Sequence, residues 1–359
     1  MRHRTVLIAA AAVLFAGGVG YLAGRGGPLL SSGSGVTSAG ADDDAHVVLT
    51  PDARGANAGA TRVDRTAPLP EPGTPLPQIH DELVRRAAAG EARAACRLAA
   101  EHQRCEMERL NLRMLVIRNE NNEAWASQHM QGQSEDAALH FAQMRAQAAQ
   151  QIEDKRANVE QCDSAPTLAP EARARYWRQA ALAGHVPSMR HYAIGNGFRW
   201  HDLMDALPAL ATYRREAEGI ARRAAMHGDA ASAYALAMAY ADSDGGHWRP
   251  FLAQTVTPDV SQALAWFSVL SRHPDITSLP AGHPTAVVVA RQLAALQAAA
   301  TPAEATRAAR QAQAVAIPDA GAGLTAQRMI RPDGGMDDLA PETCAESQFA
   351  DAAPPRTTS

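Results

Sequence analysis

Lysine is almost absent. Lys155 is the single lysine among 34 basic residues, so nearly all the positive charge is arginine. A Walker A loop needs Gly-Lys followed by Ser or Thr, and Lys155 follows Asp154. A Ser-x-x-Lys acylation site needs serine three residues ahead, where Ile152 stands. The chain also has no Gly-x-Ser-x-Gly elbow, no His-Glu-x-x-His and no Cys-x-x-Cys. These absences remove the commonest motif-bearing hydrolases, ATPases and redox folds. Aromatics are scarce at 5% of a chain that is 46% hydrophobic, so alanine carries much of the apolar content. Alanine is the best helix former, whereas sandwiches and barrels need β-branched and aromatic residues. The net charge of −4 comes without any basic block, which argues against a dedicated nucleic-acid binder. A length of 359 residues allows two domains, or one domain with tails.

What is present begins at the N-terminus. Residues 1–4 carry Arg2 and Arg4, and 5–24 are uncharged. At about 1.5 Å per residue the uncharged run matches a bilayer core of about 30 Å. Only Arg25 flanks the other side before the acidic Asp42, Asp43 and Asp44. The positive-inside rule then keeps the N-terminus cytoplasmic and exports the rest, as a single-pass inner-membrane protein with a periplasmic domain. Cleavage near Ala16-Gly17-Gly18, giving a secreted or periplasmic chain, is the alternative. Ala12, Ala16, Gly20 and Gly24 share one helix face, a small-residue pattern that can pair weakly into a homodimer. Four cysteines, an even number, fit an oxidising compartment.

Residues 25–78 are rich in Gly, Ala, Ser, Pro and Asp, and the proline string from Ala67 to Pro77 cannot be helical. The expectation is a disordered tether with an r.m.s. reach of roughly 35–42 Å. Helical pattern fills 79–316, with no convincing strand, and 317–359 returns to tail-like composition expected to be disordered. Helix starts are written into Thr257-Pro258, Thr301-Pro302-Ala303-Glu304 and Ser134-Glu135-Asp136.

Three segments align on a glycine between helical patterns: around Gly90, Gly184 and Gly228. Eight residues later each has a large residue, Leu98, Tyr192 or Leu236, and the next is Ala99, Ala193 or Ala237. Glycine suits a left-handed helix end, and alanine lets the paired helices approach. Self-similarity of this kind marks stacked helical hairpins. On these residues the chain resembles the Sel1-like repeat family, a relative of tetratricopeptide repeats. Ala174–Tyr192 and Ala217–Tyr240 are the best matches, and Ala263–Leu270 looks like the first helix of another unit. The resemblance covers roughly Glu82–Arg104 and Glu171–Arg272. It departs from the family in lacking the Gly-x-Gly-Val-x-x-Asp link between units, and the interval from Gly90 to Gly184 is more than double that from Gly184 to Gly228. It implies a right-handed α-solenoid whose concave face binds proteins or peptides.

The surplus interval has its own period. Met107, Leu110, Met114 and Ile117, then Phe141, Met144, Ala148, Ile152 and Val159, recur at helical spacing around a turn at Gln131–Ser134. This predicts a long antiparallel hairpin inserted at about 106–161. Cys105 and Cys162 then meet at its base, so a Cys105–Cys162 disulfide is expected. Cys96 and Cys105 share a helix about 13.5 Å apart, too far to bond. Cys96 is free or joined to Cys344, and Cys344 has the further option of another chain.

Trp177, Tyr192, Tyr234, Tyr240 and Trp266 lie at helical spacing and read as packing between helices. Arg199, Trp200, His201, Trp248 and Arg249 sit in loops and are the candidate partner-binding residues, since Trp and Arg are enriched in hot spots. The alternative is that these aromatics fold back over the helices. His185, His191, His201, His227 and His247 have no metal-ligand spacing and read as scattered surface histidines, so no metal and no cofactor is expected. Arg214-Arg215 and Arg222-Arg223 read as solvated faces, or as the lining of a groove for an acidic partner. The expected function is a non-catalytic envelope scaffold for a protein or peptide. The family resemblance also implies a competing role, as binder or modifier of cell-wall fragments or other small ligands.

Overall fold

Proline and short polar side chains set most of the helix starts. The computed structural model describes residues 67–242, 250–319, 337–346 and 349–350. All belong to the larger of two units, Thr61–Ser359. The anchor segment 5–24 and most of the tether lie outside the described residues, and no described helix is long and apolar enough to cross a membrane. The described residues are all-α, without a strand. The helices are α1 Leu76–Ala88, α2 Ala92–His129, α3 Glu135–Glu160, α4 Pro170–Leu182, α5 Val186–Ile194, α6 Leu207–Met226, α7 Ala230–Ala241, α8 Val260–Leu270, α9 Pro274–Thr277, α10 Pro284–Ala299 and α11 Pro302–Gln313. Three 3₁₀ turns, Trp200–Ala206, Leu252–Gln254 and Pro341–Ala345, lie between or after them.

Capping chemistry explains several boundaries. Ser134 accepts from the Ala137 N–H, and Thr301 with Glu304 forms a complete capping box. At α8 the cap is Asp259 rather than Thr257: its carboxylate accepts from the Gln262 N–H at 2.9 Å. An anion at the positive helix end outcompetes a threonine two residues away.

Gly90, Gly184 and Gly228 all have left-handed φ, +87°, +89° and +85°. After each glycine the same hydrogen bond closes the turn: Glu91 to Arg86, His185 to Ala180, and Asp229 to Ala224, each N–H reaching back five residues at 3.1–3.2 Å. This is the Schellman arrangement, which satisfies the last helical carbonyls. The following Leu98, Tyr192 and Leu236 and the alanines after them are buried. Helix pairs α1–α2, α4–α5 and α6–α7 therefore share one local design, and α2 packs on α4, α5 on α6, and α7 on α8.

α5 is buried at every position, and α7 at every position but its last, Ala241. A helix with neighbours on all sides needs small residues, and the α7 sequence AASAYALAMAYA supplies them. Part of the cover comes from the chain's own connecting segments. Phe251 packs against Gly195, and Pro318 against Gly228. The C-terminal segment lies along α2 and α5, bonded by Cys96–Cys344 with a Cα separation of 5.5 Å. Leu339, Pro341 and Ala350 are buried there. The Ala350 N–H donates to the Gly184 carbonyl at 2.7 Å, and a Cβ on Gly184 would sit 2.3 Å from the Ala350 oxygen.

Two expectations are corrected here. The tail from 317 is not free of the body: its described part is held by a disulfide and backbone hydrogen bonds. The tether to 78 is docked from Ala67 onward and helical from Leu76. Arg86 donates to the carbonyls of Ala67 and Pro68 at 2.8 and 3.0 Å, and Leu69 packs on the core. Proline forbids helix but leaves carbonyls free to accept from arginine, so composition alone misplaced both boundaries.

The hairpin starts inside the α1–α2 pair. Its first arm is continuous with the second helix of the first pair, making α2 38 residues and about 57 Å long. α3 returns after a turn with Gly132 at φ +81°. Cys105 and Cys162 are bonded at its base, with Cα atoms 5.6 Å apart.

Candidate functional site

The base of the hairpin opens a cleft of about 390 Å³ against the start of α4 and the 3₁₀ turn after Arg199. One wall is a single face of α2: His102, Glu106, Arg109, Leu110 and Arg113. The other wall carries Thr167, Leu168, Pro170, Arg173, His201 and Asp202. The Cys105–Cys162 bond fixes the α2 wall, and the Arg109 guanidinium donates to the Cys162 carbonyl at 2.8 Å.

Arg173 is the hub. It is buried, with Nη1 donating to Glu106 Oε2 at 2.5 Å and Nη2 to Asp202 Oδ2 at 2.6 Å. His201 Nε2 lies 2.5 Å from Glu106 Oε1. Glu106, His201 and Asp202 thus bring potential ligand atoms within 4.8 Å of one another. A divalent cation placed there would have to displace a guanidinium that already bridges both carboxylates. The donor set suits Arg173 better than a metal.

Three buried polar atoms in the cleft residues have no hydrogen-bond partner among the described residues: His102 Nε2, Arg173 Nε and Asp202 Oδ1. Burial pushes the His102 imidazole down to about 4, helped by the charges of His80, Arg109 and Arg173, so the ring is neutral at pH 7. A buried polar atom left unsatisfied is costly, and three in one cleft are unusual.

The consecutive loop residues point three ways. Arg199 pairs with Asp338 of the docked C-terminal segment at 2.6 Å. Trp200 is 61% exposed and stacks on Phe251, with centroids 5.1 Å apart. His201 turns to Glu106 on α2. Trp248 and Arg249 lie outside the described residues. Phe198 folds back and is buried, while Trp200, Met204 and Leu207 leave a run of large apolar side chains exposed.

Other assignments change. His185 and His191 are fully buried rather than on the surface, and burial lowers them to about 4 and about 3. The His191 ring packs against Trp177 in a tilted contact, 4.0 Å between centroids. Trp177, Tyr192, Tyr234, Tyr240 and Trp266 are all buried. Arg222 and Arg223 are clamps: Arg222 bonds Glu218, the Tyr240 hydroxyl and Gln262, and Arg223 donates to the Ala181 carbonyl. Arg214 and Arg215 are exposed.

The sequence reading missed Glu106, Arg109, Arg113 and Arg173. Their only local signal is that His102, Glu106, Arg109 and Arg113 share a helix face, which looks like an ordinary solvated stripe. No family model, curated protein or solved structure matches the chain.

Proposed function

We propose that this chain is a non-catalytic binding protein of the cell envelope. It is a right-handed α-solenoid of Sel1-like hairpins that holds a protein or peptide on the face carrying Trp200, Met204 and Leu207. The carrying observation is the exposure of these three side chains, 61%, 76% and 44%, on a rigid backing. An isolated exposed apolar residue is ordinary, but a cluster with an aromatic held by stacking is the composition of a binding hot spot. The repeated Schellman turns and buried alanines support the repeat reading. The two intramolecular disulfides support an oxidising compartment. The N-terminal run, read as an anchor, would keep the domain at the membrane.

The surface favoured here differs from the one the family resemblance implies. Stretches of α2, α5 and α7 that would line a concave face are covered by the chain's own segments, so the open surface lies at the loop after α5.

The test is a photo-crosslinking residue at Met204 in the full chain in cells, with one at the exposed Glu153 as control. The reading expects one envelope protein captured at position 204, absent at 153, and lost when Trp200→Ser is added. Capture that survives Trp200→Ser, or no capture at 204, overturns it.

A further inference from the structure

We infer that the cleft at the hairpin base binds an oxyanion, a carboxylate or phosphate, carried on a small apolar group. The inference does not rest on the protein-binding reading, because it concerns a different surface. Three observations carry it. First, the charges do not balance. Arg173 is matched by Glu106 and Asp202, but Arg109 meets only a neutral carbonyl, and Arg113 makes no ion pair among the described residues. Two arginines one helical turn apart repel at a cost to the helix. An anion between them removes that cost. Guanidinium groups suit this role, since their paired N–H donors match carboxylate and phosphate geometry.

Second, two further donors lie buried within the cleft's walls. His102 lines the cleft, is about nine-tenths buried, and has an unpartnered Nε2 that is a donor in one neutral tautomer. Arg173 Nε, in the opposite wall, is a second unpartnered donor. Third, the rest of the lining is mostly apolar: Leu110, Leu168 and Pro170 face the same space, with Thr167 beside them. A volume of about 390 Å³ falls in the range of small-ligand pockets, which pair an apolar lining with a few placed polar groups. Glu106 is held by Arg173 and His201, and Asp202 by Arg173 through Oδ2, while the unpartnered Asp202 Oδ1 would accept from a donor rather than face the anion.

The test is calorimetric titration of the purified full chain with benzoate and with phenyl phosphate, using benzyl alcohol as the uncharged control. The inference expects saturable binding of one or both anions, none of the alcohol, and weakening with added salt. Benzoate alone would assign a carboxylate, and phenyl phosphate alone a phosphate. Arg113→Gln should weaken binding several-fold and Arg109→Gln with Arg113→Gln at least tenfold. Both side chains are exposed, so the variants should keep the wild-type melting temperature to within a few degrees. Trp200→Ser should bind as wild type, which separates this site from the protein-binding face. No saturable binding of either anion, equal binding of the alcohol, or unchanged affinity in the double variant would overturn it.

Discussion

The α6–α7 pair and the α2–α3 hairpin are both antiparallel helices joined by a glycine turn, yet they are held differently. Every position of α7 except its last is buried. In the hairpin beyond Cys105 the only buried helical residues are Ala126 and Ile152. Met114, Ile117, Trp125, Leu139 and Met144 are exposed. The body is alanine-rich and takes its stability from burial on all sides. The hairpin carries charged and long residues, so little of it packs. Its base is tied by the Cys105–Cys162 bond, by Lys155 to Glu108 at 2.8 Å and by Arg109 to the Cys162 carbonyl. One helical period thus encodes two mechanical roles, a rigid platform and a projecting arm with the cleft at their junction.

Acid should break the comparison most completely. His102, His185 and His191 belong to the body and are neutral in the fold, held down mainly by burial to about 4, about 4 and about 3. In the unfolded chain they take up protons near 6.5. The unfolded state therefore binds more protons below that value, so their contribution is whole above about pH 6.5 and is lost as pH falls towards 4. Circular dichroism and intrinsic fluorescence against pH should show the body losing its buried tryptophan signal across that window. A flat profile from pH 7 to 4 would contradict the burial.

Side-chain truncation sharpens the contrast. Trp177 is fully buried, so Trp177→Ala should cost about 3–5 kcal/mol in chemical denaturation. Leu139 is 57% exposed, and Leu139→Ala should stay within about 0.5 kcal/mol. Similar costs for the two would erase the distinction between platform and arm.

Replacing Cys105 and Cys162 by serine opens a loop spanning a sequence separation of 57, worth up to about 4 kcal/mol by chain entropy. Proteolysis should then cut first within 106–161 while the body stays whole; cutting that begins in the body would argue against a separately stapled arm.

The smallest effect compares two glycines. Gly132 at the hairpin tip has φ +81° and open space around it, so Gly132→Ala should cost about 1 kcal/mol from the left-handed backbone alone. Gly184 adds a collision with the Ala350 oxygen, so Gly184→Ala should cost clearly more and loosen the C-terminal segment. Equal costs would mean that segment is not held against α5.

The local code was largely legible. Helical period and capping residues gave the elements, glycine gave the left-handed turns, and the antiparallel hairpin brought Cys105 to Cys162. What was not legible depends on contacts between distant stretches. Leu339 and Cys344 sit in a segment whose composition reads as tail, and only the partner surface makes them core. His185 and His191 look like surface residues until flanking helices and the C-terminal segment enclose them. The cleft assembles residues 102–113, 167–173 and 201–202, and no spacing along the chain records that meeting. Thr257 looked like a cap, but Asp259, two residues on, supplied the stronger acceptor.

Amide hydrogen exchange on the intact, oxidised chain tests the division between platform and arm most directly. α5 and α7 should exchange only through global unfolding, while the arms between about 113 and 150 should exchange at least about 100-fold faster through local opening. Equal protection along the hairpin and the body would contradict that division, because the hairpin would then be a packed part of one core.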